Sequence, residues 1–371
     1  MIRDLCDPGI DRVIQRHRQY WGNEEARGAD GSGARPLFRF DAPSPLMATP
    51  DPHPLEPPPP LGKAAFHASV EQSYQAHGLM ADDLIRMLGT GITSEVLVGC
   101  RIMVRAGTHW AEPAFHDWHQ FDGYRVADTV WYRRLMENTE RALEAVDPAR
   151  YPFCCMAFRG PVDMAEALLT GERLCEAAVY EPGRLRDLLE RITDIIIETA
   201  TAHGHLLPRF RGGQFNSYGI WAPGSTVTFT LDGGCLFSPA LYEDLFLPCD
   251  RRLCAAFEAP FVHLHAAARQ HFLSWAQIDN LGLQCVIDQA WLPEGRNQPI
   301  GPQLAALLPL FAKLRQRKSL MLYGYWEQQT LDLACRSLPS GGCAITGMVA
   351  DPESQRARWL RPTLTGETPC A

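Results

Sequence analysis

The sequence predicts an α/β protein, built as a single (β/α)8 TIM barrel with an N-terminal helical and proline-rich extension. Predicted strands and helices alternate along most of the chain, which is typical of a mostly parallel sheet. Seven or eight such units over roughly 300 residues suit a closed barrel, and a doubly wound open sheet is the alternative. We therefore divide the chain into an extension, residues 1–62, and a barrel, residues 63–371.

The extension combines one helix with segments that cannot be helical. An aspartate and a proline begin the predicted helix at residues 7–20, as an N-cap and a first helical residue. Residues 28–33 form a glycine-rich break, and the alternation at residues 37–40 predicts a short strand. Residues 41–60 are rich in proline and must be extended, so they wrap the domain, cover the site or serve as a linker.

The barrel is predicted from short apolar segments that alternate with amphipathic ones. The longest helix carries leucines and isoleucines on one side, at helical spacing. Strands are predicted at residues 96–104, 153–158, 213–220, 226–231, 261–265, 283–287, 319–325 and 343–348. Helices are predicted at residues 64–88, 131–145, 164–169, 182–203, 239–258, 269–278, 303–315, 331–338 and 352–360.

Composition excludes several classes of partner and cofactor. The 371 residues carry a net charge of −8, and the basic residues form no stripe with interleaved aromatics, so no nucleic-acid partner is expected. No apolar stretch approaches the roughly 20 residues that span a bilayer, and the N-terminus lacks a signal-like apolar core. We expect a cytoplasmic protein whose twelve cysteines are mostly reduced core thiols. The motifs GxGxxG and GxxxxGK[ST] are absent, so no nucleotide cofactor is expected.

The most informative pattern is the pair of histidines, His263 and His265, on the strand predicted at residues 261–265. Side chains two apart on a strand point to one face, and active sites of such barrels lie at the carboxyl ends of the strands. Two imidazoles there could bind a metal, transfer protons or hold a carboxylate. The alternative is a pair of interior histidines satisfied by neighbours, but burying two without a task is costly.

Three charged residues at predicted strand ends are further candidates. Asp163 follows a Gly-Pro turn and is either a catalytic carboxylate or the N-cap of the next helix. Asp288 ends an apolar strand and should point into the mouth of the barrel, where it orients a histidine or binds a metal; the alternative is that it caps a loop. Arg159 holds a substrate carboxylate through its planar fork, or pairs with Asp163.

Aromatic residues also cluster at predicted strand ends. Tyr218 and Trp221 precede a Pro-Gly turn, and Tyr325 and Trp326 end another strand. They line a small-molecule pocket or pack in the core. Asp232, beside two glycines, is expected to close a turn.

Three stretches together resemble the uroporphyrinogen decarboxylase superfamily. They are residues 159–165 (RGPVDMA) with the Tyr-Glu-Pro at 180–182, residues 236–242 (LFSPALY) running to the Phe-Leu-Pro at 246–248, and the histidine strand itself. Their order and spacing extend the resemblance over about residues 154–360. It implies a single (β/α)8 barrel that performs one-carbon chemistry.

Members that decarboxylate uroporphyrinogen carry an arginine-rich R-Q-A-G-R motif and a key aspartate near the N-terminus. The nearest group in this sequence, Arg35, Arg39 and Asp41, does not match that motif. The resemblance therefore does not imply the decarboxylase of the haem pathway.

Another branch of the superfamily consists of methylcobalamin:coenzyme M methyltransferases. They carry H-x-C on the strand that matches residues 263–265 and a later cysteine, and these residues bind zinc, which presents a thiolate to a methyl donor. In this sequence His265 stands at the second position, and Gly347 and Met348 stand near the later one, with Cys343 the nearest thiol.

A divalent metal, zinc first, is therefore the expected cofactor, with His263 and His265 as two ligands. Candidates for a third ligand are Asp288, Cys285 and His109.

The expected function is that of an enzyme for a small-molecule substrate. It performs decarboxylation or metal-assisted methyl transfer, with His263, His265, Asp163 and Asp288 in catalysis. Because members of the superfamily are often dimers, a homodimer is the implied oligomer. The alternative is a barrel without catalytic activity that binds a tetrapyrrole or corrinoid, or that serves as a partner subunit.

Overall fold

A computed structural model of the chain contains a sheet of seven strands, all parallel, flanked by helices. The structure describes residues 2, 4–22, 36–42, 51–105, 108–287, 300–338 and 341–360. Its strands are β1 (Leu37–Asp41), β2 (His53–Pro54), β3 (Met80–Ala81), β4 (Leu84–Ile85), β5 (Arg101–Arg105), β6 (Thr108–Glu112), β7 (Ala157–Arg159), β8 (Gly213–Phe215), β9 (Trp221–Pro223), β10 (Thr228–Leu231), β11 (Phe261–His265), β12 (Gly282–Val286), β13 (Ser319–Trp326) and β14 (Cys343–Val349). The large sheet has the order β1-β14-β13-β12-β11-β10-β7.

Helices follow most strands of the large sheet. They are α1 (Ile10–Trp21), α2 (Lys63–His77), α3 (Val130–Ala145), α4 (Pro161–Leu169), α5 (Gly171–Tyr180), α6 (Pro182–Leu206), α7 (Pro239–Leu245), α8 (Leu247–Ala255), α9 (Phe272–Trp275), α10 (Gly301–Arg315), α11 (Gln328–Ser337) and α12 (Pro352–Leu360). Four 3₁₀ helices lie at Ser94–Val98, Val126–Asp128, Gly233–Leu236 and Ala266–His271. Among the helices described, none combines the length and the apolar character that crossing a membrane requires.

The predicted alternation of strands and helices is confirmed as a parallel α/β sheet, but several predicted elements are wrong. The helix predicted at residues 64–88 ends as α2 at His77, because Gly78 adopts a positive φ of 68° and a β3–β4 hairpin follows. The strand predicted at residues 96–104 is a 3₁₀ helix and then β5, which pairs antiparallel with β2 and β6. The helix predicted at residues 239–258 divides into α7 and α8, and Pro248 lies in the first turn of the second helix.

One face of the large sheet carries a small apolar cluster that brings together residues of β1, β11, β13 and β14, and we call this face the concave side. We call this group the floor cluster: Tyr20, Leu37, Leu84, Ile220, Phe261, Met321 and Ala344, all buried. The helix α1 contributes Tyr20, whose carbonyl accepts a hydrogen bond from Ser319 on β13. The alternate residues of the strands, such as Val262 and Leu264, pack in the larger core on the other side. The floor cluster therefore leaves only the upper part of the concave side for polar residues.

Part of the predicted extension belongs to this architecture. β1 pairs with β14, and α1 is fixed to the β3–β4 hairpin because the buried His17 places Nε2 2.9 Å from the carbonyl oxygen of Asp83. Burial lowers the pKa of His17 to about 4, so this imidazole is neutral. The boundary at residue 62 between the extension and the barrel stays a prediction. β1 lies within the predicted extension and is nevertheless a strand of the large sheet.

Residues 82–88 lie beside both edge strands of the large sheet. The amide of Asp83 donates to the carbonyl of Phe38 on β1 at 3.0 Å. The amide of Leu88 donates to Pro152 at 2.8 Å, and the amide of Cys154 donates back to Leu88 at 3.1 Å, just before β7. Backbone hydrogen bonds therefore connect this segment to β1 and to the residues that precede β7.

A buried acid between α7 and α8 gives the fold a specific pH dependence. Asp250 is fully buried, Tyr242 donates a hydrogen bond to its Oδ2, and its Oδ1 has no hydrogen-bond partner among the described residues. Burial raises the pKa of Asp250 to about 8. Between about pH 4 and pH 8, Asp250 of the folded protein therefore keeps a proton that an unfolded aspartate, with a pKa of about 3.9, has lost.

This raised pKa predicts a loss of stability as the pH rises. The contribution of Asp250 to the free energy of unfolding is fully present below about pH 4. It falls by about 1.4 kcal/mol per pH unit above that, until the folded group ionises. Asp250→Asn, an isostere of the neutral acid, should remove that slope when the free energy of unfolding is measured in urea at about pH 5 and about pH 7. Asp244→Asn, on the exposed face of α7, should keep the wild-type slope, and equal slopes in all three proteins would contradict the assignment.

Candidate active site

The two histidines leave the same face of β11, at its carboxyl end. Their ring centroids are 5.1 Å apart with an interplanar angle of 74°, and the side chain between them, Leu264, is buried in the opposite core. His263 is 18% exposed and His265 is 36% exposed, so both imidazoles reach the open part of the concave side. The pair is thus accessible to a ligand of small size.

The third member of the group is Asp232, which follows the neighbouring strand β10. Its Oδ1 lies 3.8 Å from Nε2 of His263 and 3.7 Å from Nε2 of His265. The prediction that Asp232 only closes a turn was therefore incomplete. β10 and β11 are parallel neighbours, so a residue directly after β10 meets the carboxyl end of β11.

Asp163 positions this turn from the first turn of α4. The amides of Asp232 and Gly233 donate to its carboxylate at 2.9 and 2.8 Å, and the Thr230 hydroxyl donates to it as well. Asp163 is not an N-cap, because α4 begins at Pro161 and Gly160 occupies the N-cap position. The carboxylate instead ties the start of α4 to the end of β10.

Asp163 is more readily protonated than an aspartate on the surface. Burial, and then the charge of Asp232, raise the pKa of Asp163 to about 6, against the three hydrogen bonds that lower it. Gly233 lies close beside it, and a Cβ atom there would lie 2.6 Å from Oε2 of Glu166, so a larger residue would displace the Glu166 carboxylate. A second contact holds the turn from the other side, where Nε2 of His271 lies 2.8 Å from the carbonyl oxygen of Gly234.

The ring of His263 is oriented by two neighbours on its Nδ1 side. Oε1 of Gln284 lies 2.5 Å from Nδ1, and the hydroxyl of Tyr218 lies 2.9 Å from it. Burial raises the pKa of Tyr218, so its hydroxyl stays protonated. With Gln284 as acceptor, Nδ1 carries the proton and Nε2 presents a lone pair toward Asp232. Neither Gln284 nor its role was predicted from the sequence.

The donor set fits a divalent metal. Asp232, His263 and His265 each offer one ligand atom, and these atoms lie within 4.8 Å of one another. Zinc bonds of about 2.0–2.2 Å at tetrahedral angles place ligand atoms about 3.3–3.6 Å apart, so the distances of 3.8 and 3.7 Å from Asp232 to the two histidines need to shorten by only a few tenths of an ångström. Two imidazoles, one carboxylate and one remaining position are typical of catalytic zinc sites.

The other predicted metal ligands lie elsewhere. Cys285 pairs in register with Leu264 and packs in the core on the other side of the sheet. Cys343, on β14, also packs in that core. Gly347 stands where the resemblance implied a cysteine, and a Cβ there would lie 2.0 Å from the carbonyl oxygen of Gly324. His109 is on β6, with Nε2 3.7 Å from Oε1 of Glu95, and Asp288 falls outside the described residues.

Arg159 pairs with a different acid from the one predicted. Its Nε lies 2.8 Å from Oε1 of Glu95, a residue only 1% exposed, and its backbone amide donates to Ser94. The predicted pairing with Asp163 is therefore wrong. Because Arg159 aligns with Thr230 and Thr230 aligns with His263, the Arg159–Glu95 pair lies on the same concave side as the histidines.

The four predicted aromatic residues separate into three places. Tyr218 contacts His263, whereas Trp221 is buried beside α1. The carbonyl of Trp221 accepts a hydrogen bond from the indole N–H of Trp21, and its own indole N–H donates to the carbonyl of Phe210. Tyr325 and Trp326 line a cleft of about 480 Å³ at the carboxyl ends of β13 and β14. The volume is in the range of small-molecule sites.

Comparisons with known proteins support the fold. No protein-family model matches the sequence, and no curated protein sequence matches it either. Among solved structures, a methyltransferase from Methanosarcina mazei is similar, with a TM-score of 0.51 and 13% sequence identity. The alignment covers 74% of this chain and 78% of that chain. At this identity the likeness concerns the α/β fold.

Proposed function

We propose that this protein is a metal-dependent methyltransferase that acts on a small molecule. The observation that carries the proposal is the group of Asp232, His263 and His265 at the carboxyl edge of a parallel sheet. The structural likeness to a methyltransferase is consistent with it. The metal group favours methyl transfer over decarboxylation, because a metal activates an acceptor directly.

Zinc is the metal we propose, and bound there it would supply the Lewis acidity that lowers the pKa of an acceptor thiol. The chain's own residues hold and orient the site. Gln284 and Tyr218 fix the ring of His263, and Asp163 fixes the turn that carries Asp232. In the proposed reaction, the acceptor sulfur would form a bond to the methyl carbon of a methylated corrinoid as the cobalt–carbon bond breaks. The corrinoid would leave with the bonding electron pair, as cobalt(I), and the thiol proton would be released to solvent.

We also propose that the sheet closes into the (β/α)8 barrel that the sequence predicts. Support comes from residues 82–88, whose backbone hydrogen bonds connect β1 to the chain that enters β7. In that arrangement the floor cluster fills the amino end, and the metal group and the cleft at Tyr325 and Trp326 share the carboxyl end. The cleft would then hold part of the substrate. A homodimer and a cytoplasmic location stay predictions.

The proposal predicts about one metal ion per chain and a methyl transfer that depends on it. Protein purified without added metal is analysed for zinc, iron and cobalt, since two histidines and a carboxylate also bind iron(II). Methylcobalamin and 3-mercaptopropionate are then supplied, and demethylation of the corrinoid is followed by its absorption spectrum. We expect turnover with the zinc-loaded protein and its loss after treatment with a chelator.

Two outcomes would overturn parts of the proposal. Less than about a tenth of an equivalent of any transition metal, with no uptake on soaking, would exclude the metal site. Binding of methylcobalamin without any turnover of the zinc-loaded protein would favour a barrel that only binds a corrinoid.

A further inference from the structure

A second polar group lies on the concave side, on elements away from the histidine strand. Strand alternation locates it, because the residue two positions after a floor-cluster residue faces the same side one level higher. The pairs within strands are Leu37 and Arg39 on β1 and Met321 and Tyr323 on β13. Arg86 directly follows β4, two residues after Leu84, and its amide continues the hairpin pairing by donating to the carbonyl of Leu79 at 2.8 Å. We call Arg39, Arg86 and Tyr323 the arginine group.

The metal group occupies the same level. His263 stands two positions after Phe261, which is also in the floor cluster. The sheet order separates β1 from β11 by β14, β13 and β12, and β13 carries Tyr323 between them. The concave side therefore has an arginine group on one part of its wall and a metal group on another.

Arg86 is the member of this group that has no ion-pair partner among the described residues. Within the described part of the chain its guanidinium makes no hydrogen bond or ion pair, and its buried Nε has no partner. Its two charged neighbours are already matched: Nε of Arg39 lies 3.0 Å from Oδ2 of Asp41, and Arg356 pairs with Asp82. Among the described residues, three guanidinium groups therefore share two carboxylates, and Asp41, which Arg39 pairs with, is the carboxylate whose charge acts on Arg86.

The charge of Arg86 is unfavourable in the protein alone. Polar groups that are buried are normally hydrogen-bonded, and a half-buried cation without an acid loses hydration without compensation. Burial, and next the charge of Arg39, lower the pKa of Arg86, although a guanidinium stays protonated. By contrast, the guanidinium of Arg159 is neutralised by Glu95.

We infer that Arg86, with Arg39 and Tyr323 beside it, binds the carboxylate of a small substrate whose other end reaches the metal group. The second half of this inference rests on the proposed function. The planar fork of a guanidinium matches a carboxylate in two hydrogen bonds, and the excess of one guanidinium over the neighbouring carboxylates matches a monoanion. The hydroxyl of Tyr323 is a neutral donor at the same level, because burial raises the pKa of Tyr323.

The test compares an acid with a neutral analogue of the same shape. Calorimetric titration at constant ionic strength gives the affinities of 3-mercaptopropionate and 3-mercaptopropanol for wild type, Arg86→Gln and Arg86→Lys. Arg251→Gln, at an exposed position on α8, is the matched control. In the wild type the acid should bind about tenfold or more tighter than the alcohol, and Arg86→Gln should abolish that preference. Arg86→Lys keeps the charge without the fork and should retain part of it.

The measurement is repeated after the metal is removed, so that the two proposals fail separately. The preference for the acid should persist without metal, whereas tight binding of both thiols should not. No preference in the wild type, no measurable binding of the acid at millimolar concentration, or equal loss in the Arg251 control would overturn the carboxylate site. Since Arg86→Gln removes an unpaired charge, its stability should equal or exceed that of the wild type, and a lost preference then reports binding.

Discussion

Replacing His265 with alanine is expected to lower zinc affinity by roughly a hundredfold or more, and His263→Ala and Asp232→Ala should do the same. Each change removes one of the three donors that the described residues provide, all within 4.8 Å of one another. Binding is measured by competition with a coloured chelator, and turnover with methylcobalamin and 3-mercaptopropionate should be lost in parallel. Stability without metal should change little, because none of the three side chains is fully buried.

The control for this series is His205→Ala. His205 lies in the last turn of α6 and is exposed, so its loss removes an imidazole that does not belong to the metal group. Zinc affinity and turnover should equal those of the wild type. If the three site variants bind zinc as tightly as this control, the metal does not reside between β10 and β11.

A graded response is expected around the ligands. Gln284→Leu removes the acceptor on Nδ1 of His263 while leaving the ligand in place, and partners of this kind typically change metal affinity by about 10- to 100-fold. A smaller loss than in His263→Ala would support a role in orienting the ring.

The histidine pair could be predicted from the sequence because its information is local. Alternation along one strand decides that residues two apart share a face, and the flanking apolar run identifies the strand. Asp232 shows what local patterns omit. It stands beside two glycines and therefore resembles a turn residue, and its relation to His263 exists only through the pairing of β10 with β11. An aspartate directly after a predicted strand, next in order before the histidine strand, was the available signal.

The pairing of charges could not be predicted for the same reason. Arg159 is four residues from Asp163 in the sequence, yet it pairs with Glu95. Glu95 lies in the 3₁₀ helix at Ser94–Val98, which β5, β6 and α3 separate from Arg159 in the sequence. The charge balance around Arg86 likewise depends on Asp41 of β1, on Asp82 between β3 and β4, and on Arg356 of α12. Errors in secondary structure followed single residues, since Gly78 ended α2 where apolar periodicity alone continued the helix.

Asp163 gives the largest expected effect on stability. It is completely buried and accepts from two backbone amides and from the Thr230 hydroxyl. Asp163→Ala leaves these three donors without an acceptor, and each unpaired buried group costs about 1–3 kcal/mol. We expect a decrease of about 3–5 kcal/mol in the free energy of unfolding, measured in urea. Asp187→Ala, on the exposed face of α6, is the control and should change stability by less than about 0.5 kcal/mol.

A second measurement on Asp163 separates support of the metal site from support of the fold. Asp163→Asn keeps one acceptor oxygen but directs an amide toward one of the donors, so it should unfold at an intermediate urea concentration. If Asp163 positions Asp232, zinc affinity in the folded Asn variant should fall by about 10- to 100-fold, as with other residues that orient ligands. A variant that loses stability and binds zinc like the wild type would make Asp163 purely structural. The turn after β10 would then keep Asp232 in place through His271 and Gly234 instead.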